Sequence, residues 1–339
     1  MKLIKRIKKI IRDGFFFALV SYKCLTHGES LGILTNLNPS IPFGGLGRLS
    51  KSFIINKLNQ NDYSEYFSKQ TRLKISLSVE ERLVKATAFI KNNEFPIVAK
   101  PDVGFTGIGV NIFNNKENLL EFLSKQKVDY VLEEFCPYSH ELGVYYLKLP
   151  GQKQGKVIGV VEKDFPFIIA DGIKSINKLA GNVDGFVKAY LTIKYGSLEN
   201  IPEKESIINL IGKSHATGEQ ISIDRTHELN EKLSDIIGNI SSQISDFYYG
   251  RYDLKISKWP LTDDKFNFKI LELNPSIDAI PLHFYDKKYG FFQKYRSVLG
   301  LLDTAVKICS QNKSNNGDNI SFFRLLREQV RLVKHLRKI

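Results

Sequence analysis

The chain has 339 residues, with 49 Lys and Arg against 36 Asp and Glu, for a formal net charge of +13. Hydrophobic residues make up 42% and aromatics 12%, enough for buried cores, which excludes disordered and fibrous classes. Three scattered cysteines, Cys24, Cys136 and Cys309, are too few for a disulfide framework or a four-thiolate zinc site, so a reducing, cytoplasmic setting is expected.

The charge is concentrated at the ends. Residues 1–12 carry six bases and no acid, and residues 322–339 carry six bases and one acid. Together they hold +11, leaving +2 on the other 309 residues. In the first segment Leu3, Ile7 and Ile10 repeat at helical spacing, with Ile4 and Ile11 beside them. A basic amphipathic helix suits an anionic lipid surface, at roughly 1 kcal/mol per Lys or Arg near the headgroups. Packing on the body of the protein is the competing use. The apolar run Phe15–Val20 is too short to span a bilayer, no small-residue cleavage site follows it, and no transmembrane segment is expected.

Residues 28–50 are rich in Gly, Pro, Asn and Ser and read as an irregular loop. Ser50 and Lys51 open a helix carrying Phe53, Ile54, Ile55 and Leu58. Residues 78–92 form a second, with Ser78 as its cap and Glu81 completing a capping box. A strand over 96–100 runs into a glycine-rich turn over 101–109. A strand over 110–113, a helix over 116–125 and an apolar strand over 130–135 follow. Strands at 143–149 and 157–162 suggest a second sheet. Asp171 and Gly172 form a turn before a helix over 175–179. A helix over about 228–246 and strands over 252–256 and 266–273 complete the body. At the far end Leu326, Val330, Val333 and Leu336 form an apolar stripe flanked by Phe322 and Phe323. The fold class is α+β, with hairpins more evident than βαβ units.

Three groups of residues carry chemistry. In Arg251-Tyr252-Asp253 and Glu272-Leu273-Asn274, a hairpin about Thr262 and Asp263 would set Asp253 opposite Glu272 and Arg251 opposite Asn274. Asp, Glu and an amide oxygen on one face suit a hard cation such as Mg²⁺, and Arg251 beside them suits a phosphoryl group. An ordinary charged surface hairpin is the alternative, although Glu272 lies among Ile270, Leu271 and Leu273, where an unpaired carboxylate would be costly. Lys100, followed by Gly104, Gly107 and Gly109, could meet phosphate through an ammonium and backbone N–H groups; a tight hairpin is the commoner use of such glycines. The pattern is neither a P-loop nor a dinucleotide-binding fingerprint. The strand ending in Glu133, Glu134 and Cys136, with Glu141 beyond it, could hold a purine and its ribose, or simply turn its acids to water.

Taken in order, these elements resemble the ATP-grasp superfamily of carboxylate–amine (or thiol) ligases, in particular its D-alanine–D-alanine ligase members. The likeness runs from about Ser50 to Asp286. Lys51 and Lys100, 49 residues apart, the latter in Pro96-Ile97-Val98-Ala99-Lys100-Pro101, match the family's two phosphate-contacting lysines. The resemblance implies that Gly104, Gly107 and Gly109 form the mobile phosphate loop. It also implies that Glu133, Glu134 and Cys136 form the adenine hinge, with Glu141 toward the ribose. Asp253, Glu272 and Asn274 would be the magnesium ligands, and Arg251 would stabilise the acyl-phosphate and tetrahedral intermediates. Ala170–Ile176, Ser214–Gly218 and Asp224-Arg225-Thr226 are similar to segments of the glutamate-ligase and cyanophycin-synthetase branch.

The implied fold is two α+β lobes with antiparallel sheets clasping ATP, residues 51–140 forming the small lobe and 141–308 the large one. Residues 1–50 would be a truncated first domain and 309–339 a basic amphipathic helix, so substrate identity does not carry over. The implied reaction phosphorylates a small-molecule or peptide carboxylate with ATP and two Mg²⁺ ions, Mn²⁺ being a substitute. An amine then displaces phosphate. His215 and His283 are candidate bases, and a homodimer is compatible with the sequence. Phosphoryl transfer to a hydroxyl, or an inactive nucleotide-binding protein on a membrane surface, are the rival functions. Nucleic-acid binding rests on charge alone and is disfavoured, because aromatics are not interleaved with bases in the body.

Overall fold

A computed structural model describes residues 2–58, 61–104, 107–164, 167–181, 183, 185–210, 221–261, 265–277, 286, 288–314 and 320–339. The first helix, α1 (Lys2–Thr26), takes in the basic segment and the Phe-rich run together. Its later half packs on the sheet through Val20 and Cys24.

Residues 28–50 are irregular, as expected, but they are not a loose linker. Two 3₁₀ turns, Leu31–Asn36 and Pro42–Gly45, press into the protein, and Gly32 to Asn38 are buried. Asn38 ties this segment to the body. Its amide nitrogen donates to the Tyr249 and Pro275 carbonyls, and its oxygen accepts from the Tyr248 and Tyr249 N–H groups at 2.8 and 3.1 Å. A fully satisfied buried amide fixes this segment in a way that a gain in apolar burial alone would not.

Next come α2 (Lys51–Leu58), β1 (Gln70–Leu73), α3 (Val79–Lys91), β2 (Ile97–Pro101), β3 (Asn111–Phe113), α4 (Lys116–Ser124) and β4 (Tyr130–Glu134). The four strands with α3 and α4 form a small lobe, whereas Ile54, Ile55 and Leu58 of α2 are buried in the core of the larger sheet. The capping box at Ser78 and Glu81 forms as the sequence predicts. The strands make an antiparallel sheet in the order β1-β4-β2-β3. Its core is Leu73, Ala86, Ile97, Ala99, Leu119 and Leu132.

A five-stranded antiparallel sheet has the order β11-β10-β5-β6-β9, from β5 (His140–Leu147), β6 (Lys156–Asp164), β9 (Ile221–Asp224), β10 (Tyr249–Ile256) and β11 (Phe268–Asn274). Between β6 and β9 lies a small unit of β7 (Phe167–Ile169), α5 (Ile176–Ala180), α6 (Gly185–Tyr195) and β8 (Ile207–Asn209). One face of the large sheet carries Leu142, Val144, Tyr146, Tyr252, Leu254 and Ile256, buried against α7 (Glu231–Ser242). On the other face, Tyr145 and Tyr249 pack against α1 and α8 (Phe291–Ser314). Because side chains alternate along a strand, that second face continues along β5 and β10 with Glu141, Gly143, Arg251, Asp253 and Lys255. The face is thus apolar at one end and charged at the other.

The last helix, α9 (Phe322–Leu336), is capped by Ser321, whose hydroxyl accepts from the Arg324 N–H. The stripe Leu326, Val330 and Val333 faces solvent. The helix buries Leu325, Glu328 and Leu332. The physical reason is Glu328: its carboxylate meets the Arg48 guanidinium at 2.8 Å, and that pairing draws the neighbouring helix face inward.

Candidate active site

The hairpin register is the one that strand spacing predicts. Arg251 pairs with Asn274 and Asp253 with Glu272, so all four lie on one face. After Asp253 the register shifts, and Leu254 pairs with Ile270. Leu271 is the extra residue of this bulge, and its carbonyl accepts from Lys100 at 3.1 Å. The irregularity therefore hands a backbone acceptor on the large sheet to a lysine of the small lobe.

Asp253 is held from two sides. Arg251 donates to both of its oxygens, at 2.7 Å from Nε and 3.1 Å from Nη2, and Lys163 approaches at 3.2 Å. The Asn274 amide nitrogen donates at 3.3 Å. Burial pushes the Asp253 carboxyl up, but Arg251 and Lys163 overcome it and hold the group below the usual carboxylate range. Lys163 also meets Glu141 at 2.7 Å. Burial lowers the pKa of Lys163, yet Asp253 and Glu141 raise it further, so it stays charged. Gly143, opposite Asp253, is the residue that admits Arg251: a Cβ there would lie 3.1 Å from Arg251 Cδ.

Lys51 opens α2, and fully buried Asp102 orients that helix end. Its carboxylate accepts from the Ser52 N–H at 2.9 Å and the Ser50 hydroxyl at 2.7 Å, and its carbonyl accepts from the Lys51 N–H. Lys51 Nζ then reaches Glu272 at 3.0 Å and the Gly104 carbonyl at 2.9 Å. Lys100, at the end of β2, pairs with Glu133 of β4. Burial keeps the Glu133 carboxyl raised despite that neighbour. Glu134, by contrast, turns to the edge and accepts weakly from the Lys69 N–H.

Beyond β4, residues 135–138 leave the sheet. Cys136 is buried, and its carbonyl faces Lys255 Nζ at 3.5 Å. That ammonium also lies over the rings of Phe135 and Tyr190, at 5.5 and 5.8 Å from their centroids. In the glycine-rich turn, Gly107 and Gly109 take positive φ, 71° and 74°, and the Gly109 carbonyl accepts from the Tyr130 hydroxyl at 3.3 Å. Phe105 and Thr106 lie outside the described residues, as do Thr262 and Asp263, His215 with Ser214–Gly218, and His283.

The structure thus brings Lys51, Lys100, Glu133, Glu141, Arg251, Asp253, Glu272 and Asn274 into one group of paired side chains where the two sheets meet. It adds Lys163, Asp102 and Lys255, which motif spacing does not single out. Asp224-Arg225-Thr226 forms a local turn: Asp224 accepts from the Thr226 N–H and hydroxyl and from Tyr289 at 2.5 Å. Asp171 likewise accepts from the Ile173 and Lys174 N–H groups.

Among the described residues no three carboxylate, imidazole or thiol groups converge as a metal centre. The candidate set is two carboxylates and an amide. Its donor chemistry, all oxygen on one face of the paired strands β10 and β11, fits a hard cation. Glu272, with a side chain 33% exposed, is more accessible than Asp253, at 10%.

No family model matches the chain, and no curated protein matches it. Solved structures do. A bifunctional glutathione synthetase from Pasteurella multocida is similar at 15% identity and a TM-score of 0.40, over 79% of this chain and 38% of that one. D-alanine–D-alanine ligase from Bacillus anthracis is similar at 13% identity and a TM-score of 0.43, over 79% and 70%. ATP-grasp ligase PsnB, complexed with minimal precursor, is similar at 12% identity and a TM-score of 0.39, over 79% and 60%.

Proposed function

We propose that the chain is an ATP-dependent ligase of the ATP-grasp kind, activating a carboxylate as an acyl phosphate and joining it to an amine. One observation carries this reading. Four basic side chains, Lys51 from α2, Lys100 from β2, and Lys163 and Arg251 from the large sheet, are grouped where the two sheets meet, each held by a carboxylate. Such a group is charge-balanced as it stands. A polyphosphate that arrives with a divalent cation can replace both partners at once, phosphate taking the bases and the cation taking the acids.

Asp253, Glu272 and Asn274 would hold Mg²⁺, which when bound neutralises phosphate charge. Lys51 and Lys100 would orient the terminal phosphates, with the 104–109 turn closing over them. The hinge after β4 would take the base, against Phe135 and Lys255. A substrate carboxylate oxygen attacks the γ-phosphorus, the β–γ bridging bond breaks, and ADP leaves. An amine nitrogen then attacks the acyl carbon. Phosphate departs with the electrons of the C–O bond, and the amine gives its proton to solvent. Arg251, charged throughout, and Lys163 would stabilise the oxyanions of both steps.

The test is ADP release by the full chain with Mg²⁺ and ATP, across amino acids, peptides and acyl donors, with mass detection of the joined product. Stoichiometric ADP, phosphate and amide, abolished by Asn274→Ala, is expected. ADP formed with a phosphorylated hydroxyl and no amide would replace ligation by phosphotransfer. Unchanged ATP turnover in Asn274→Ala would remove the site assignment altogether.

A further inference from the structure

Helix α9 has two apolar faces, and the protein uses one. The inner face, Leu325, Glu328 and Leu332, lies on the 28–50 segment, where Arg48 pairs with Glu328 and Gln329 donates to the Leu46 carbonyl. At about 100° per residue, Phe322, Leu326, Val330, Val333 and Phe323 fall on a single arc of about 100° that adjoins this inner face and turns outward from it. Phe323 is 71% exposed, and Leu326, Val330 and Val333 are each close to one-half exposed. Arg337 lies within this arc, and Arg324, Arg327, Arg331, Lys334 and Lys338 border its outer edge, away from the buried face; all six bases are exposed. The helix has one acid, Glu328, and it is buried.

We propose that this outward face of α9 docks on an anionic lipid surface. The arc would sit at the boundary between headgroups and acyl chains, and the flanking bases would meet lipid phosphates. No described helix is long and apolar enough to cross a membrane, so the helix would lie along the surface. Charge decides against a second copy as occupant, because pairing two such faces would set six bases against six bases. Stable attachment through one short helix is weak, and two signals are normally needed. The chain has a second at its other end. The six bases of residues 1–12 lie in α1, which continues into exposed Phe15 and Phe17.

The experiment is flotation of the full chain with phosphatidylcholine vesicles and with vesicles containing phosphatidylglycerol. Binding to the anionic vesicles at low salt, released at high salt and absent from phosphatidylcholine, is expected. Leu326→Glu/Val330→Glu and Arg327→Glu/Lys334→Glu should each cut the bound fraction about tenfold or more. These residues face solvent, so unchanged circular dichroism and Tm would separate lost binding from lost fold. Absence of flotation at low salt, equal binding to both vesicle types, or binding insensitive to both double variants would overturn the proposal. Retention on polyglutamate without vesicle binding would assign the face to an acidic protein instead. A dimer split by Leu326→Glu/Val330→Glu, again without vesicle binding, would assign it to a second copy.

Discussion

Lys163 donates to carboxylates from two different strands, Glu141 of β5 and Asp253 of β10. Removing it would leave Glu141 without its partner and Asp253 with Arg251 and Asn274. Lys163→Met should therefore do two separable things. It should lower the rate of ADP release by about 10²–10³, the usual cost of losing one preorganised charge donor. It should also lower Tm, because a buried pair has been broken from one side. Adding Glu141→Gln removes the stranded charge. The double variant should regain much of the stability, and the rate should stay low. A double variant that recovers rate together with Tm would reduce Lys163 to a structural role. In the sequence Lys163 lies between Glu162 and Asp164 and looks like any charged strand edge. Its importance depends on three strands that meet only in the folded sheet. Asp253, Glu272, Arg251 and Asn274 are legible in the sequence, because period-two alternation and a symmetric hairpin suffice to pair them.

Elements differ in how much of their environment their own pattern contains. The capped helix α3 carries its start signal in Ser78 and Glu81, and that signal works wherever the helix lies. The bulge at Leu271 has no such signal, since it depends on how β10 and β11 share the register. β1 is four polar-leaning residues, Gln70–Leu73, that become a strand because β4 offers an edge. Helix α8 did carry a pattern, with Val298, Leu302, Ala305 and Cys309 at helical spacing and all buried. In α9 both apolar stripes are periodic, and hydrophobicity cannot choose between them. Glu328 chooses, which makes a pH prediction. Burial raises its carboxyl, and hydrogen bonds and charge from Arg48 overcome this, leaving it below its ordinary value. A depressed folded-state pKa gives stability that is fully present above the unfolded value of about 4.3 and is lost as pH falls through the folded one. Glu328→Gln should cost about 1–3 kcal/mol at neutral pH. In denaturant titrations its deficit against the parent chain should shrink as pH drops below about 4. A deficit that stays constant from neutral to acid pH would show that the ionised pair is not what seats the helix.

At the scale of the molecule the two sheets are joined by side chains that the proposed reaction would itself recruit. Lys51 crosses from α2 to Glu272, and Lys100 from β2 to the Leu271 carbonyl. A nucleotide that takes both lysines would loosen these crossings, whereas the Phe67–Ile270 bridge and the Lys269 bonds to the Glu65 and Phe67 carbonyls would remain. Helix α9 adds a further connection. It lies on the Phe43–Arg48 segment, which Asn38 ties to β10 and to Pro275 beyond β11, and its far end reaches the small lobe. There the His335 ring meets the Val103 carbonyl at 3.1 Å, and Ile339 packs against the small-lobe core. Gly109 is bare at a positive φ where Ile339 sits; a Cβ at that position would run into Ile339 and Pro101. The end of α9 is therefore packed onto the turn proposed to close over phosphates. Ile339→Asp, or removal of residues 335–339, should free that turn. Amide exchange at Val103, Gly104 and Gly107–Val110 should accelerate while β10 and β11 stay protected, because their ladder is untouched. KM for ATP should rise several-fold with kcat changed less, since closing the turn would then have to be driven by nucleotide binding. Gly109→Ala should act in the same direction by a different route, displacing Ile339 and adding roughly 1–2 kcal/mol of left-handed strain. If exchange in the turn were unchanged in the Ile339 variant, α9 would be a passenger on the small lobe, and its hold on the turn would have to be abandoned.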